Sequence, residues 1–174
     1  LATHALKVLS RPDEPGAEVL EGVAQLESRF GVAPQSIHYF SHGTTVGVNT
    51  VIQRKGVRLC HFTTENFVDV LEVARLRTPD VYNLLSQRPK PLIPKERVVP
   101  IAERMRSDGS VDKPVDVQSV EQAVAKARDL GAEAVVVSLI NAYRNPAHEH
   151  EVAAIVTRLA PDLPVFCSTD VWAI

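Results

Sequence analysis

Residues 38–56, HYFSHGTTVGVNTVIQRKG, gather Ser41, His42, Gly43, Thr44 and Thr45 into a polar corner between an apolar stretch and a helical one. The first backbone N–H groups of a helix have no internal partner, and the aligned peptide dipoles make that end positive. A glycine there lets a guest approach the backbone, and threonine hydroxyls donate to an oxyanion, so the corner suits a phosphate or a carboxylate. The same residues are good helix caps with no ligand at all, and the corner taken alone favours that plainer role. The spacing Gly43-x-x-x-Gly47 lacks the Gly-Lys-Ser/Thr ending of a nucleotide P-loop and the G-x-G opening of a dinucleotide fingerprint. Asn49 shares a helical face with Thr44 and Thr45. It is placed either to orient a substrate carbonyl or to tie a neighbouring loop.

The other polar clusters carry less chemistry. His148, Glu149, His150 and Glu151 follow Asn145-Pro146. Histidines two apart on a helix point away from each other, whereas a zinc pair needs a spacing of three or four. A solvated first turn, with its acids near the positive helix end, is expected instead. No metal set is read anywhere in the chain. His61 lies inside a strand pattern and is expected to be a satisfied core or edge histidine. Ser41-His42 is no nucleophile elbow, which would read G-x-S-x-G. The alternating charges of LEVARLR, residues 71–77, read as a solvated helix face. Cys60 and Cys167 each sit in an apolar stretch and are expected to be buried free thiols of a cytoplasmic protein, not a disulfide.

The elements that must position these groups alternate between strand and helix. Residues 5–9 read as a strand, and Pro12, Asp13, Glu14 and Pro15 as a turn. A helix follows with Val19, Leu20, Val23, Leu26 and Phe30 at helical spacing, ended by Gly31. Residues 37–40 are the next strand, 44–54 a helix stopped by Gly56, and 57–62 a strand. Residues 67–76 read as a helix with Val70, Leu71 and Ala74 inward. Pro79, Pro89, Pro91, Pro94 and Pro100 then break regular structure, so residues 78–116 are expected to hold an extended connector and a small antiparallel excursion. One helical turn is allowed at 81–85, a strand at 98–105, and a hairpin turn at Asp108-Gly109 before the return at Val111. Val117, Val120, Val124, Ala127 and Leu130 then make one helix face, closed by Gly131. Residues 134–140 read as a strand buried on both sides. Pro146 opens a helix with Val152, Ile155, Val156 and Leu159 inward, Pro161 ends it, and 164–167 form a last strand. An α/β architecture follows.

Composition excludes several classes. The 174 residues are 45% hydrophobic and 23% charged with a net charge of −2, which argues against nucleic acid and membrane partners. No apolar run approaches the ~20 residues of a membrane span. The chain opens at Leu1 without Met and closes on the apolar Val171-Trp172-Ala173-Ile174, so it reads as a piece of something longer.

Five blocks stand in an order that resembles a known family: SHGTTVGVNTVIQRKG, TTENFVDVLEVARL, RTPDVYNL, RPKPLIPKERV and SLINAYRNPAHE. The chain is similar to the N-terminal region of the hydantoinase A/oxoprolinase family, from about Lys7 to Asp170. The resemblance implies a fragment of an actin-like ATPase lobe, related to the ribonuclease H-like sheet, spanning residues 1–174. It implies an enzyme that uses ATP and Mg, in the longer protein, to open a hydantoin or 5-oxoproline ring through phosphorylation of the carbonyl oxygen, or to carboxylate a ketone. It also implies a hydantoinase B-type partner subunit or domain. Under it, His42, Gly43, Thr44, Thr45 and Asn49 would lie near phosphate or substrate. Arg75, Asn141, Tyr143, Asn145 and His148 match family positions that would line the cleft; no catalytic residue is assigned.

The chain departs from the family pattern at defined places. The family's Asp-Ile-Gly-Gly-Thr phosphate hairpin would precede Leu1, and the adenosine side of the fold would follow Ile174. The isolated region is therefore expected to be inactive and to hold no nucleotide. Losing the hairpin is expected to expose a sheet edge near 5–9 or 37–40 and to promote self-association. Val46-Gly47-Val48 stands where Val-Ala-Thr is usual, and Val73-Ala74-Arg75-Leu76 where Ile-Gly-Arg-Gln is usual. The alternative to an enzyme fragment is a non-catalytic module that binds a small anion or assembles subunits.

Overall fold

The computed structural model describes residues 3–9, 11, 14, 16–43, 45–76 and 80–172. The chain divides into two compact units, residues 1–45 and 46–174. In the first, helix α1 (Ala17–Phe30) begins at Gly16 (φ 95°) and ends at Gly31 (φ 69°), whose N–H reaches back to Glu27 O and Leu26 O. Residues 3–9 form no strand. Leu6 and Val8 are half-buried while their neighbours are exposed. Val8 passes close to Gly22 of α1, and the His4 ring stacks on Phe30 at 4.3 Å. The alternation that predicted a strand thus points toward one helix, with no ladder. Residues 37–40 are likewise unpaired, with Tyr39 and Phe40 exposed. The expected sheet edge at either place is therefore corrected. Of the predicted turn at 12–15, only Glu14 is described.

The second unit carries the sheet. Strands β1 (Leu59–Thr64), β2 (Val98–Ile101), β5 (Ala134–Val137) and β6 (Val165–Cys167) run parallel in the order β2-β1-β5-β6. Strands β3 (Arg104–Met105) and β4 (Val111–Lys113) make the small antiparallel hairpin, turned at Gly109 with φ 88°. Helices α2 (Val46–Gln53), α3 (Val70–Val73), α4 (Val117–Asp129), α5 (Ala147–Leu159) and α6 (Ser168–Val171) complete the unit. In the register, Cys60 faces Val135, and Phe62 lies between Val99 and Val137, so these side chains share one face of the sheet. Onto it pack Val120, Ala123, Val124 and Ala127 of α4 and Val152, Ile155 and Val156 of α5, and this is the core. The predicted inward faces of both helices hold except at their ends, where Val117 and Leu159 stay exposed.

Three elements differ from expectation for local reasons. The strand predicted over 98–105 breaks at Ala102, whose N–H donates to Ser119 Oγ while its carbonyl accepts from Asp116 N. The start of α4, capped by Asp116 at Gln118 N, thus draws the backbone out of the sheet. The helix predicted over 67–76 shrinks to α3, because Ala74, Arg75 and Leu76 are left-handed (φ 45°, 56° and 54°). Of Val70, Leu71 and Ala74, only Leu71 is half-buried, so there is little tertiary contact to extend it. Helix α2 ends not at Gly56 but at Arg54, which takes the left-handed position with φ 52°. Residues 81–85 form turns without a helix.

Candidate functional site

In an open parallel α/β sheet, ligand sites gather beyond the carboxyl ends of the strands. Here that edge is built from the end of β1, the exit of β2 toward β3, the loop after β5 and the start of α6. A buried polar network fills it. Glu103, after β2, is 2% exposed, and its carboxylate accepts from Thr64 Oγ1 at the end of β1. Its other oxygen lies 2.6 Å from His148 Nδ1. Thr64 Oγ1 in turn accepts from Ile140 N at 2.9 Å. One residue on, Glu149 is 0% exposed and accepts four hydrogen bonds. Oε1 takes Leu139 N (3.0 Å) and Ser168 Oγ (2.7 Å); Oε2 takes Thr169 N (3.0 Å) and Thr169 Oγ1 (2.8 Å).

The solvated first turn expected for residues 148–151 is thus corrected. His148 and Glu149 point inward, while His150 and Glu151 are exposed. The cause is topological: the loop after β5 and the first turn of α6 present backbone N–H groups that no ladder or helix pairs, and a buried acceptor must meet them. Four donors saturate Glu149, and a histidine and a hydroxyl hold one oxygen each of Glu103 inside the protein, where Glu103 is 2% exposed. The network's chemistry is positional: it fixes the loops at the edge where a ligand would sit.

Three predicted cleft residues belong to the same fastening. Asn141 (φ 66°) donates from Nδ2 to Met105 O at 2.9 Å. Asn145 donates from Nδ2 to Gly109 O at 3.0 Å, and its Oδ1 accepts from Ala147 N at 3.1 Å, opening α5. Together with His148 they hold the β3–β4 hairpin against the sheet. Tyr143 is exposed, with the Arg144 guanidinium 5.6 Å from its ring. Arg75 is exposed.

The residues of the polar corner divide between the two units. His42, Gly43 and Thr45 are exposed in the first unit, and Asn49 is exposed on α2 in the second. Thr44 lies outside the described residues. A Cβ added at Gly43 would meet nothing within 4 Å among the described residues.

His61 is buried as predicted and half satisfied: its ring bonds the Ser138 backbone, while Nδ1 has no partner among the described residues. Burial pushes its pKa down, against a bond to the Ser138 backbone and the Glu149 charge, which raise it. Thr63 Oγ1 on the same face is also unpartnered. Cys60 and Cys167 are free and buried, as expected. Among the described residues, His150, Cys167 and Asp170 bring one donor atom each within 4.8 Å of one another, with His150 Nε2 2.9 Å from Asp170 Oδ1. No helix among the described residues is long and apolar enough to cross a membrane.

Sequence reasoning missed Glu103, Thr64, Ser168 and Thr169. Glu103 had one legible signal, as an acid in the alternating inward series Val99, Ile101, Glu103, Met105. Ser168 and Thr169 had none, because their role depends on where the Glu149 side chain ends.

Comparison with known proteins bears on this arrangement. The family described as "Hydantoinase/oxoprolinase N-terminal region" matches residues 2–160. The acetophenone carboxylase gamma subunit of Aromatoleum aromaticum is 31% identical over 165 residues, covering 88% of this chain and 22% of that protein. Caprolactamase subunit alpha of Pseudomonas jessenii is 29% identical over 172 residues, covering 95% of this chain and 25% of that protein. The crystal structure of the ATP-dependent caprolactamase from that organism superposes with a TM-score of 0.82 at 28% identity, over 99% of this chain and 26% of its own. The chain therefore spans about a quarter of the length of these relatives.

Proposed function

This chain belongs to the hydantoinase/oxoprolinase N-terminal region family, and from that premise we propose that it is the N-terminal part of an ATP-dependent enzyme that opens a cyclic amide. The observation that carries the reading is the likeness to an ATP-dependent caprolactamase along 99% of the chain. On this reading the sheet and its helices are a fragment of an actin-like ATPase lobe. The rest of the enzyme, and a partner subunit of the hydantoinase B type, lie outside this chain; the relatives' names as alpha and gamma subunits favour such a partner.

Within this chain, His42, Gly43, Thr44, Thr45 and Asn49 are proposed to face the phosphate or the substrate. Gly43 suits an oxyanion. Residues 38–56 contain no Asp or Glu, so the corner offers no carboxylate for Mg, and no metal step is assigned to it. When bound, ATP supplies the phosphoryl group that would make an amide carbonyl carbon electrophilic enough for water. The contribution of this chain is to bind and orient, and the Glu103–His148 and Glu149 networks hold the edge loops still. The experiment is ATP hydrolysis by the longer protein with its partner, in the presence and absence of hydantoin, 5-oxoproline and caprolactam. Stimulation by a cyclic amide is the expected result; no stimulation by any of the three rejects the reading.

The 31% identity to an acetophenone carboxylase subunit favours one second reading, carboxylation of a ketone. Bicarbonate-dependent ATP turnover with acetone or acetophenone, and none with lactams, would select it.

A further inference from the structure

The Arg54-Lys55-Gly56 run that closes α2 borders a cavity of about 470 Å³ lying wholly in the second unit. The cavity opens at the amino ends of β1, β2 and β5, opposite the edge that holds the Glu149 network. Among the described residues its charged lining is Arg54, Lys55, Arg58 and Arg97 against the single acid Glu133. That acid is already engaged, since its Oε2 accepts from Arg58 N at 2.7 Å. Arg54 is held in place, with its guanidinium donating to the carbonyls of Lys90 and Pro91. Arg97 is half-buried and donates to Leu59 O at 3.5 Å. The Arg58 guanidinium lies against Gly131, where a Cβ would come within 2.7 Å of it. None of Lys55, Arg58 and Arg97 forms an ion pair among the described residues.

Four cations facing one committed acid would ordinarily be a solvated surface. Three features argue otherwise. The cations surround a concavity whose size lies in the range of about 300–1,000 Å³ typical of ligand sites. Val51, Val57, Leu59 and Leu92 give it an apolar wall. Two of the guanidiniums are held by backbone carbonyls, so less side-chain entropy is lost on binding. The carboxyl end of α2 also points here and opposes an anion, but a helix end amounts to only about half a charge.

We propose that this cleft binds a small ligand bearing two or more anionic oxygens, phosphate or carboxylate, on a partly apolar body. The proposal does not depend on the lactam reading. The test is calorimetric titration of the 174-residue chain with pyrophosphate and with citrate at low salt. Saturable binding is expected, weakened at least about tenfold by Lys55→Glu and by Arg58→Glu, and weakened again as salt rises from about 50 to 200 mM. Circular dichroism of the variants confirms the fold; if Arg58→Glu unfolds, Lys55→Glu carries the test alone. Binding of pyrophosphate only identifies a phosphate ligand, binding of citrate only a carboxylate, and binding of both a general oxyanion site. Saturable binding of neither anion overturns the proposal. So does binding that survives unchanged in folded Lys55→Glu, or retention of an acidic peptide where neither small anion binds.

Discussion

Replacing Glu149 by glutamine separates a buried tie from a solvated helix turn. The native carboxylate offers two acceptor oxygens to four donors, two of them the backbone N–H groups of Leu139 and Thr169. A glutamine has the same shape but one oxygen and one NH2. The hydroxyls of Ser168 and Thr169 can turn to accept from that NH2; a backbone N–H cannot. Either amide orientation therefore strands one backbone donor, Leu139 or Thr169, inside a site that is 0% exposed at Glu149. An unpaired buried donor costs about 1–3 kcal/mol, and the remaining bonds lose their charge assistance. The sum is a loss of about 2–4 kcal/mol, or roughly 5–15 °C in melting temperature for a chain of this size. The assay is urea unfolding followed by circular dichroism, run beside Glu151→Gln. Glu151 lies on the same helix turn but is exposed, so its variant should stay within about 0.5 kcal/mol of the parent. Equal stabilities of the two variants would refute the argument that Glu149 ties the loop after β5 to the start of α6.

Three further outcomes follow from single sites. His61 has a folded pKa below its unfolded value of about 6.5, because burial disfavours its charge. The unfolded chain therefore takes up the proton first: the contribution is complete above about pH 6.5 and is lost as pH falls toward the folded pKa. Urea midpoints between about pH 5 and 8 should fall less steeply on the acid side in His61→Leu than in the parent, and parallel curves would reject this. Burial raises the Cys60 thiol and, with the Glu149 and Asp170 charges, pushes Cys167 up to about 11. Both should resist a thiol reagent at neutral pH in the folded chain and react at once in urea; prompt reaction of either in the native state contradicts the burial argument. Gly109 turns the β3–β4 hairpin at φ 88°, with Arg144 Cβ 3.5 Å from the place a side chain would begin. Gly109→Val should cost about 1–2 kcal/mol or more, read from the thermal midpoint; an unchanged midpoint would mean the turn relaxes freely.

Much of the fold could be read from local signals. The 3.6-residue period placed α1, α4 and α5, and Gly31 and Gly131 marked helix ends where the chain does turn left-handed. The Asp108-Gly109 pair marked the hairpin. Failures came where a segment's outcome depends on a distant partner. Residues 5–9 alternate like a strand, yet pack on α1 with no ladder. The run over 98–105 is divided by Ser119, which lies in α4. The same limit applies to the site. The NPAHEHE run was read as a helix start, correctly, but which of its four polar side chains turn inward was not readable.

The sequence by itself determined the α/β class, the family and the positions of the principal helices, because periodicity, turn residues and block order are properties of neighbours along the chain. Only the tertiary structure decided that Glu103 and His148 meet, that Glu149 gathers four donors from the loop after β5 and the start of α6, and that Arg54, Lys55, Arg58 and Arg97 surround one cleft. Charges and hydrogen bonds act over a few ångströms in space, and residues that far apart in sequence reach those distances only when the parallel strands bring their ends side by side.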